Sequence, residues 1–221
     1  MNRSKNILNK VWIILISGIL FILFFIVSVN YNFLNLFGGM PSLQDLEKPE
    51  SELSSELYSS DNKLLGKYFR YNRSPVKFDE LSDELVTTLL VTEDIRFYEH
   101  SGIDLKGLVR ASYGVLKNVA TFGSSGLEGG GSTITQQLAK NLFKIRREKK
   151  GKLSGVPFLG LIISKVKEWI VAVKLEEFYT KKEILAMYLN TAEYGSNSYG
   201  IKVAAKTYFN KLPSELNYNE S

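Results

Sequence analysis

The sequence predicts a mainly α protein, with one transmembrane helix, a small β-hairpin and then a helical domain. Three observations carry that reading. Residues 11–29 (VWIILISGILFILFFIVSV) hold no charge. Two short apolar runs, Leu57-Tyr58-Ser59-Ser60 and Leu64-Leu65-Gly66-Lys67-Tyr68-Phe69, flank Asp61-Asn62-Lys63, which suits a turn. From Ser82 onward, apolar residues recur at helical spacing behind capping residues.

The apolar run matches the roughly 20 residues that a helix needs to cross a bilayer. A cleavable signal peptide has a shorter apolar region and small residues at its cut site, and Asn30-Tyr31-Asn32-Phe33-Leu34 offers none. Arg3, Lys5 and Lys10 precede the run, whereas the first acidic residues after it are Asp45, Glu47 and Glu50. The positive-inside rule therefore places the N-terminus in the cytoplasm and the rest outside. The expected organisation is a cytoplasmic tail (1–10), a membrane helix (11–30), a polar connector (31–56) and a helical domain (57–221).

Composition narrows the chemistry. With 221 residues, 44% hydrophobic and 23% charged, the chain has enough material for a folded core. It has no cysteine, which excludes disulfides, thiolate metal sites and cysteine nucleophiles. Its one histidine, His100, excludes a multi-histidine zinc site. The net charge of +5 suits an anionic membrane, a phosphate-bearing substrate or nucleic acid, and does not choose among them.

The helices follow in order. Ser82 suits the cap of a helix carrying Leu85, Val86, Leu89 and Leu90. Asp104 suits the cap of a second, with Leu105, Leu108, Val109, Leu116 and Val119 on one face. After Gly129-Gly130-Gly131, Ser132 is the expected cap of a third, through Ile134, Leu138 and Leu142. A fourth, near 159–177, has Val166, Trp169, Ile170 and Val173 as its core stripe. Thr180 and Glu183 form a capping box for a fifth, with Ile184, Met187 and Tyr188. A last helix begins near Tyr199 and includes Ala204, Ala205 and Tyr208. Before the fourth, a basic run (144–152) meets an apolar one (155–163). A solvated charge run before a buried helix start fits this pattern. So does a flap with its basic part at lipid headgroups and its apolar part in the interface.

Three polar clusters are candidates for chemistry. Glu93 and Asp94 end an apolar helix, where partial desolvation would raise a carboxylate pKa and suit it to proton transfer. In the same cluster, Asp104 taken alone reads as a helix cap and His100 as a structural histidine. In the second cluster, glycines before a helix N-terminus offer backbone N–H groups to phosphate. Ser132, Thr133, Gln136 and Gln137 add neutral hydrogen-bonding groups, and Lys140 a charge; alone, this is also a well-capped helix. In the third, Lys165 and Glu168 share a helix face, as a surface ion pair or as a cation for a leaving phosphate beside a second acid.

In order, these clusters resemble the motifs of the family 51 glycosyltransferases, the transglycosylase domains of class A penicillin-binding proteins and their monofunctional relatives. Glu93, Asp94, Phe97, His100, Gly102 and Asp104 match E-D-x-x-F-x-x-H-x-G-x-D. Gly130, Ser132, Thr133, Ile134, Gln136, Gln137, Lys140 and Asn141 match G-x-S-T-I-x-Q-Q-x-x-K-N. Ser164-Lys165-Val166-Lys167-Glu168 is similar to R-K-x-x-E, with serine in place of the arginine. Ile184 to Asn190, with Ala186 where glutamate is common, and Tyr199 to Phe209 resemble the fourth and fifth motifs. The resemblance covers about 57–211. In the family further helices follow, and the hairpin is closer to that of a bifunctional class A protein, so the expectation is the N-terminal part of a longer chain.

The resemblance implies a lysozyme-like helical domain that polymerises lipid II into β-1,4 glycan strands. Configuration inverts and undecaprenyl pyrophosphate leaves. It implies Glu93 as general base on the acceptor 4-hydroxyl and Glu168 as the second catalytic carboxylate. Asp94, Ser132, Thr133, Gln136, Gln137, Lys140, Asn141 and Lys165 would contact substrate, while Phe97, His100, Gly102 and Asp104 would shape the first motif. No cofactor is obligatory, although a divalent cation (Mg or Mn) is compatible with the pyrophosphate. The implied partners are lipid II, the growing glycan, the inner membrane, and elongation or division proteins, with no nucleic acid. A lytic muramidase would share the fold and the glutamate, but needs neither the cations nor an anchor. A membrane-tethered scaffold without activity is the non-enzymatic rival.

Overall fold

The computed structural model describes residues 2–47, 55–62, 64–68, 75–121, 130–143, 145, 151–156, 158–196 and 198–221. Lys63 and Phe69 of the expected hairpin, Gly129, Pro157 and most of the basic run (144 and 146–150) lie outside the described residues. The chain divides into two units, Met1–Met40 with Ile145–Ile170, and Pro41–Lys144 with Val171–Ser221.

The first unit is built on α1 (Asn2–Asn30). Within it, Ile7–Asn30 is a helix of 24 residues, long and apolar enough to cross a membrane; at 1.5 Å per residue it reaches roughly 36 Å. Asn32 then takes a left-handed conformation (φ 48°), and its side-chain oxygen accepts from the N–H groups of Phe37 (3.1 Å) and Gly38 (2.7 Å), which turns the chain back. The returning segment packs on the start of α6 (Leu159–Phe178). Val29, Phe37, Ile163 and Val166 form a buried cluster, with Phe25, Ile26, Trp169 and Ile170 around it. Leu153 N–H donates to Leu36 C=O at 2.9 Å. A Cβ on Gly151 would sit 2.2 Å from Gly38 N, so only glycine permits that approach.

The second unit contains α2 (Leu43–Glu47), then β1 (Ser55–Tyr58) paired antiparallel with β2 (Leu64–Tyr68). The pairing runs from Ser55 opposite Tyr68 to Tyr58 opposite Leu64, with an irregularity between Leu57 and Tyr58. Helices α3 (Asp83–Glu93), α4 (Leu105–Ala120), α5 (Ile134–Leu142), the end of α6, α7 (Lys181–Thr191) and α8 (Ile201–Phe209) follow. Ser82 caps α3 by accepting from Leu85 N–H at 3.2 Å, and Thr180 with Glu183 closes the capping box of α7. Asp104 caps α4 through Gly107 N–H at 2.9 Å. The core is made by α5 against α7, with Ile134, Leu138, Ala139, Ile184, Leu185 and Leu189 buried, together with Val171, Ala172 and Leu175 of α6. Asn190 fastens α7 to the chain before α3, donating to Val76 C=O (2.8 Å) and accepting from Val76 N–H (2.9 Å).

One expectation about the helices changes. The cap of α5 is Thr133, not Ser132: Thr133 has extended backbone, and its hydroxyl accepts from Gln136 N–H at 3.2 Å. The apolar face of α4, which the sequence placed on one side of the helix, is open. Leu105 (72%), Val109 (71%) and Leu116 (68%) are exposed, because among the described residues nothing packs over them.

Candidate active site

The first motif is a helix end followed by a tight loop. Glu93 is the last residue of α3, and the backbone leaves helical geometry at Asp94 (φ −156°, ψ 75°). That break sends the two neighbouring acids different ways. Asp94 is buried (7% exposed), and its carboxylate accepts from His100 Nε2 (3.1 Å to each oxygen) and from Ile134 N–H (3.1 Å). Ile134 begins α5, so the carboxylate serves one of that helix's unpaired N-terminal donors and meets the positive end of its dipole.

Glu93, by contrast, is exposed. The expected partial desolvation is not found: the helix stops at this residue, so no further turn covers it. Its carboxylate accepts from Gln137 Nε2 at 2.6 Å, and Gln137 Oε1 in turn accepts from the Tyr188 hydroxyl at 3.2 Å. Burial, with the nearby Glu93 charge adding to it, pushes the Tyr188 phenol above its ordinary pKa.

The loop between these motifs is locked from several sides. Phe97 is fully buried, and Lys181 Nζ lies 4.2 Å from its ring centre. The same ammonium donates to His100 C=O (2.6 Å) and to Glu176 (2.9 Å), which also accepts from Thr135 (2.6 Å). Gly102 has φ +86°, and a Cβ there would lie 2.8 Å from the backbone carbon of Ala172. Its carbonyl accepts from Thr133 Oγ1 (2.8 Å) and Gln136 Nε2 (3.0 Å). Asp104 pairs with Arg96. Burial opposes its charge, but the guanidinium and Gly107 N–H outweigh that and hold the carboxyl below its usual range.

Beside these residues lies an open cavity of about 600 Å³, a volume typical of small-ligand sites. Among the residues expected to act on substrate, Glu93, Asp94, Ser132, Thr133, Gln137 and Lys140 reach its wall. Asp94 and Gln136 were expected to contact substrate, and the structure gives them an inward task. Gln136 is buried and its amide NH₂ donates to Gly102 C=O, because α5 turns that face into the core. Thr133 is likewise buried, its hydroxyl divided between Gly102 and Gln136. Asn141 is exposed. Arg96, Arg110, Val91 and Ile95 also line the cavity and were not singled out in the sequence. The signal for Arg110 was available, since Asp104 caps α4 and Arg110 lies within its second turn.

Lys165 and Glu168 belong to the other unit. Their side chains pair at 2.8 Å, with Glu168 only 1% exposed, so this is not the surface pair that sequence alone also allowed. Lys167, 2% exposed, donates to Gly39 C=O at 3.2 Å and so ties α6 to the segment after α1.

Of the carboxylates on the cavity wall, Asp94 is engaged by His100 and Ile134, and Asp104 by Arg96. Among the described residues no group of three or more acidic or histidine side chains converges as a metal site. Among the described residues the donor set does not fit a protein-held divalent ion.

The chain thus carries an apolar helix long enough to cross a membrane and, in its second unit, a cavity wall where exposed Glu93 stands with Arg96, Arg110 and Lys140. The family model described as Transglycosylase matches residues 61–221, and the chain belongs to that family. It is 36% identical to penicillin-binding protein 1A of Vibrio cholerae over 181 residues, which are 82% of this chain and 20% of that protein. It is also 36% identical to penicillin-binding protein 1A of Escherichia coli over 181 residues (82% of this chain, 19% of that one). With penicillin-binding protein 1A of Pseudomonas aeruginosa the identity is 31% over 218 residues, covering 97% of this chain and 24% of the relative. The chain thus spans about a fifth of the length of these relatives.

Proposed function

We propose that this chain is a peptidoglycan glycosyltransferase that polymerises lipid II and releases undecaprenyl pyrophosphate. The observation that carries the reading is the pairing, on one cavity wall, of an exposed Glu93 held by Gln137 with the cations Lys140 and Arg110. Glu93 takes the proton from the acceptor 4-hydroxyl, and that oxygen attacks the anomeric carbon of the donor. The C–O bond to pyrophosphate breaks on the opposite face, so the configuration inverts. An in-line displacement of this kind needs a base on one side and positive charge on the other. Lys140 and Arg110 supply charge, and Ser132 with the glycine-rich approach to α5 offers hydrogen bonds to phosphate oxygens. For Lys165 and Glu168 the reading rests on the third motif alone, which gives them as a cation for the pyrophosphate and a second catalytic carboxylate. The cavity's cations favour this reading over a lytic muramidase, whose leaving group is a neutral sugar.

The membrane places the enzyme beside its substrate. Helix α1 spans the bilayer with Arg3, Lys5 and Lys10 on the cytoplasmic side, and the remainder lies outside. On α4, exposed Leu105, Val109, Tyr113 and Leu116 run beside the cations Lys106, Arg110 and Lys117, with no acidic residue in the helix. That composition suits a helix lying among anionic headgroups.

The test is to incubate the detergent-solubilised chain with labelled lipid II beside a Glu93→Gln variant. Polymer from the parent and none from the variant supports the transferase and its base. No polymer from a folded parent removes the assignment.

A further inference from the structure

Tyr188 takes part in no step described so far, yet its hydroxyl is two hydrogen bonds from the Glu93 carboxylate. The three residues come from three helices: Glu93 ends α3, Gln137 lies in α5, and Tyr188 in α7. Their bonds have one consistent polarity. A carboxylate only accepts, so Gln137 must turn its NH₂ toward Glu93 (2.6 Å), which leaves its oxygen toward Tyr188 (3.2 Å). The phenol must then donate, and it can do so only while protonated. Burial and the neighbouring Glu93 charge keep it protonated.

We infer that Tyr188 is a positioning residue for the general base: it fixes the orientation of the Gln137 amide, which in turn holds one oxygen of Glu93. This rests on the reading of Glu93 as the base. The physical need is plain from the exposure of Glu93. A glutamate at an open helix end samples several rotamers, and holding it in one costs conformational entropy. Among the described residues, Gln137 is the only hydrogen-bond partner of its carboxylate. An unanchored Gln137 would share that mobility, and its amide could turn its oxygen toward Glu93, replacing attraction by repulsion. That flip is disfavoured at both ends: the amide oxygen would face the carboxylate, and the Tyr188 hydroxyl would have to turn its hydrogen away and accept from the NH₂ in place of donating. Two bonds in series also polarise one another. Tyr188 is half-buried, and it is carried by the helix that Asn190 fastens to Val76 and that packs on α5. The anchor is therefore rigid where the anchored residue is not.

The test uses the full chain in detergent with labelled lipid II, comparing Tyr188→Phe, Gln137→Met and the double variant. Tyr188→Phe keeps the ring and loses only the hydroxyl. Its kcat is expected to fall about fivefold to tenfold, as for one lost hydrogen bond of modest net worth. KM is expected to stay within about twofold of the parent, and Tm within about 2 °C. If Tyr188 acts through Gln137, the double variant loses no more kcat than Gln137→Met alone. The inference is overturned if Tyr188→Phe keeps the parent kcat, if its loss appears in KM instead, or if the two losses multiply. An active parent with any of these results sinks only the relay. A folded parent that makes no polymer sinks the function and the relay together, and a Glu93→Gln variant that makes as much as an active parent sinks the base and the relay while the transferase stands.

Discussion

Two adjacent pairs of residues have opposite fates in this molecule. Glu93 is exposed and Asp94 buried; Gln137 reaches the cavity and Gln136 is buried. The outward member of each pair meets the other in one hydrogen bond, and the inward members hold the loop and the helix start that position them. The outer pair is loosely built and open to ligand. The inner one is buried, and its side chains bond His100, Ile134 and Gly102. In these two pairs the inward member holds the backbone that carries the outward one. Loss of an outer group should therefore cost activity without stability, while loss of an inner group should cost stability first.

The largest expected effect is at Glu93. Glu93→Gln should lower kcat by on the order of 10²–10⁴ with Tm unchanged within about 2 °C, read by polymer formation and thermal unfolding. A large fall in Tm would break the contrast. Next is Asp94→Ala, which strips His100 Nε2 and Ile134 N–H of their buried acceptor. It should destabilise the fold by about 3 kcal/mol, seen as a lower denaturation midpoint. Gly102→Ala should cost about 2 kcal/mol or more, from positive φ and the Ala172 contact together. Unchanged stability there would mean that the loop is not locked against α6.

The smallest effects sharpen the comparison at the surface. Val109→Ser should change stability by less than about 0.5 kcal/mol, whereas Leu138→Ala, in the core, should cost about 2–5 kcal/mol. The Asp104–Arg96 pair gives a pH signature. The carboxyl of Asp104 is held below its unfolded value, so its contribution is present above about pH 4 and is lost as pH falls through the lower, folded value. Asp104→Asn should flatten that acid limb of the unfolding curve; an unaltered limb would show that the pair is open to water in solution.

Much of this was legible beforehand, and the exceptions share one cause. Ser82, Asp104 and the Thr180–Glu183 box were readable as caps, because capping is settled within four residues. The cap of α5 was misplaced by one residue, since Ser132 and Thr133 are both competent and only Gly102, 31 residues away in sequence, selects Thr133 as a donor to its carbonyl. Helices α4 and α5 are both amphipathic. In α5 the stripe of Ile134 and Leu138 is fully buried against α7; in α4 the stripe of Leu105, Val109 and Leu116 is left in the open. Periodicity reveals that a face exists and is silent about what covers it.

By itself, the sequence determined the apolar anchor, the helical class, most of the helix caps and the identity of the motif residues. These depend on residue type and spacings of a few positions, which the chain fixes locally. The tertiary structure decided which of two adjacent acids faces solvent, which of two adjacent glutamines is spent in the core, and that Tyr188 stands behind Gln137. Those outcomes depend on where α3, α5 and α7 cross. Such crossings are set by burial summed over groups distant in sequence, and no local spacing encodes them.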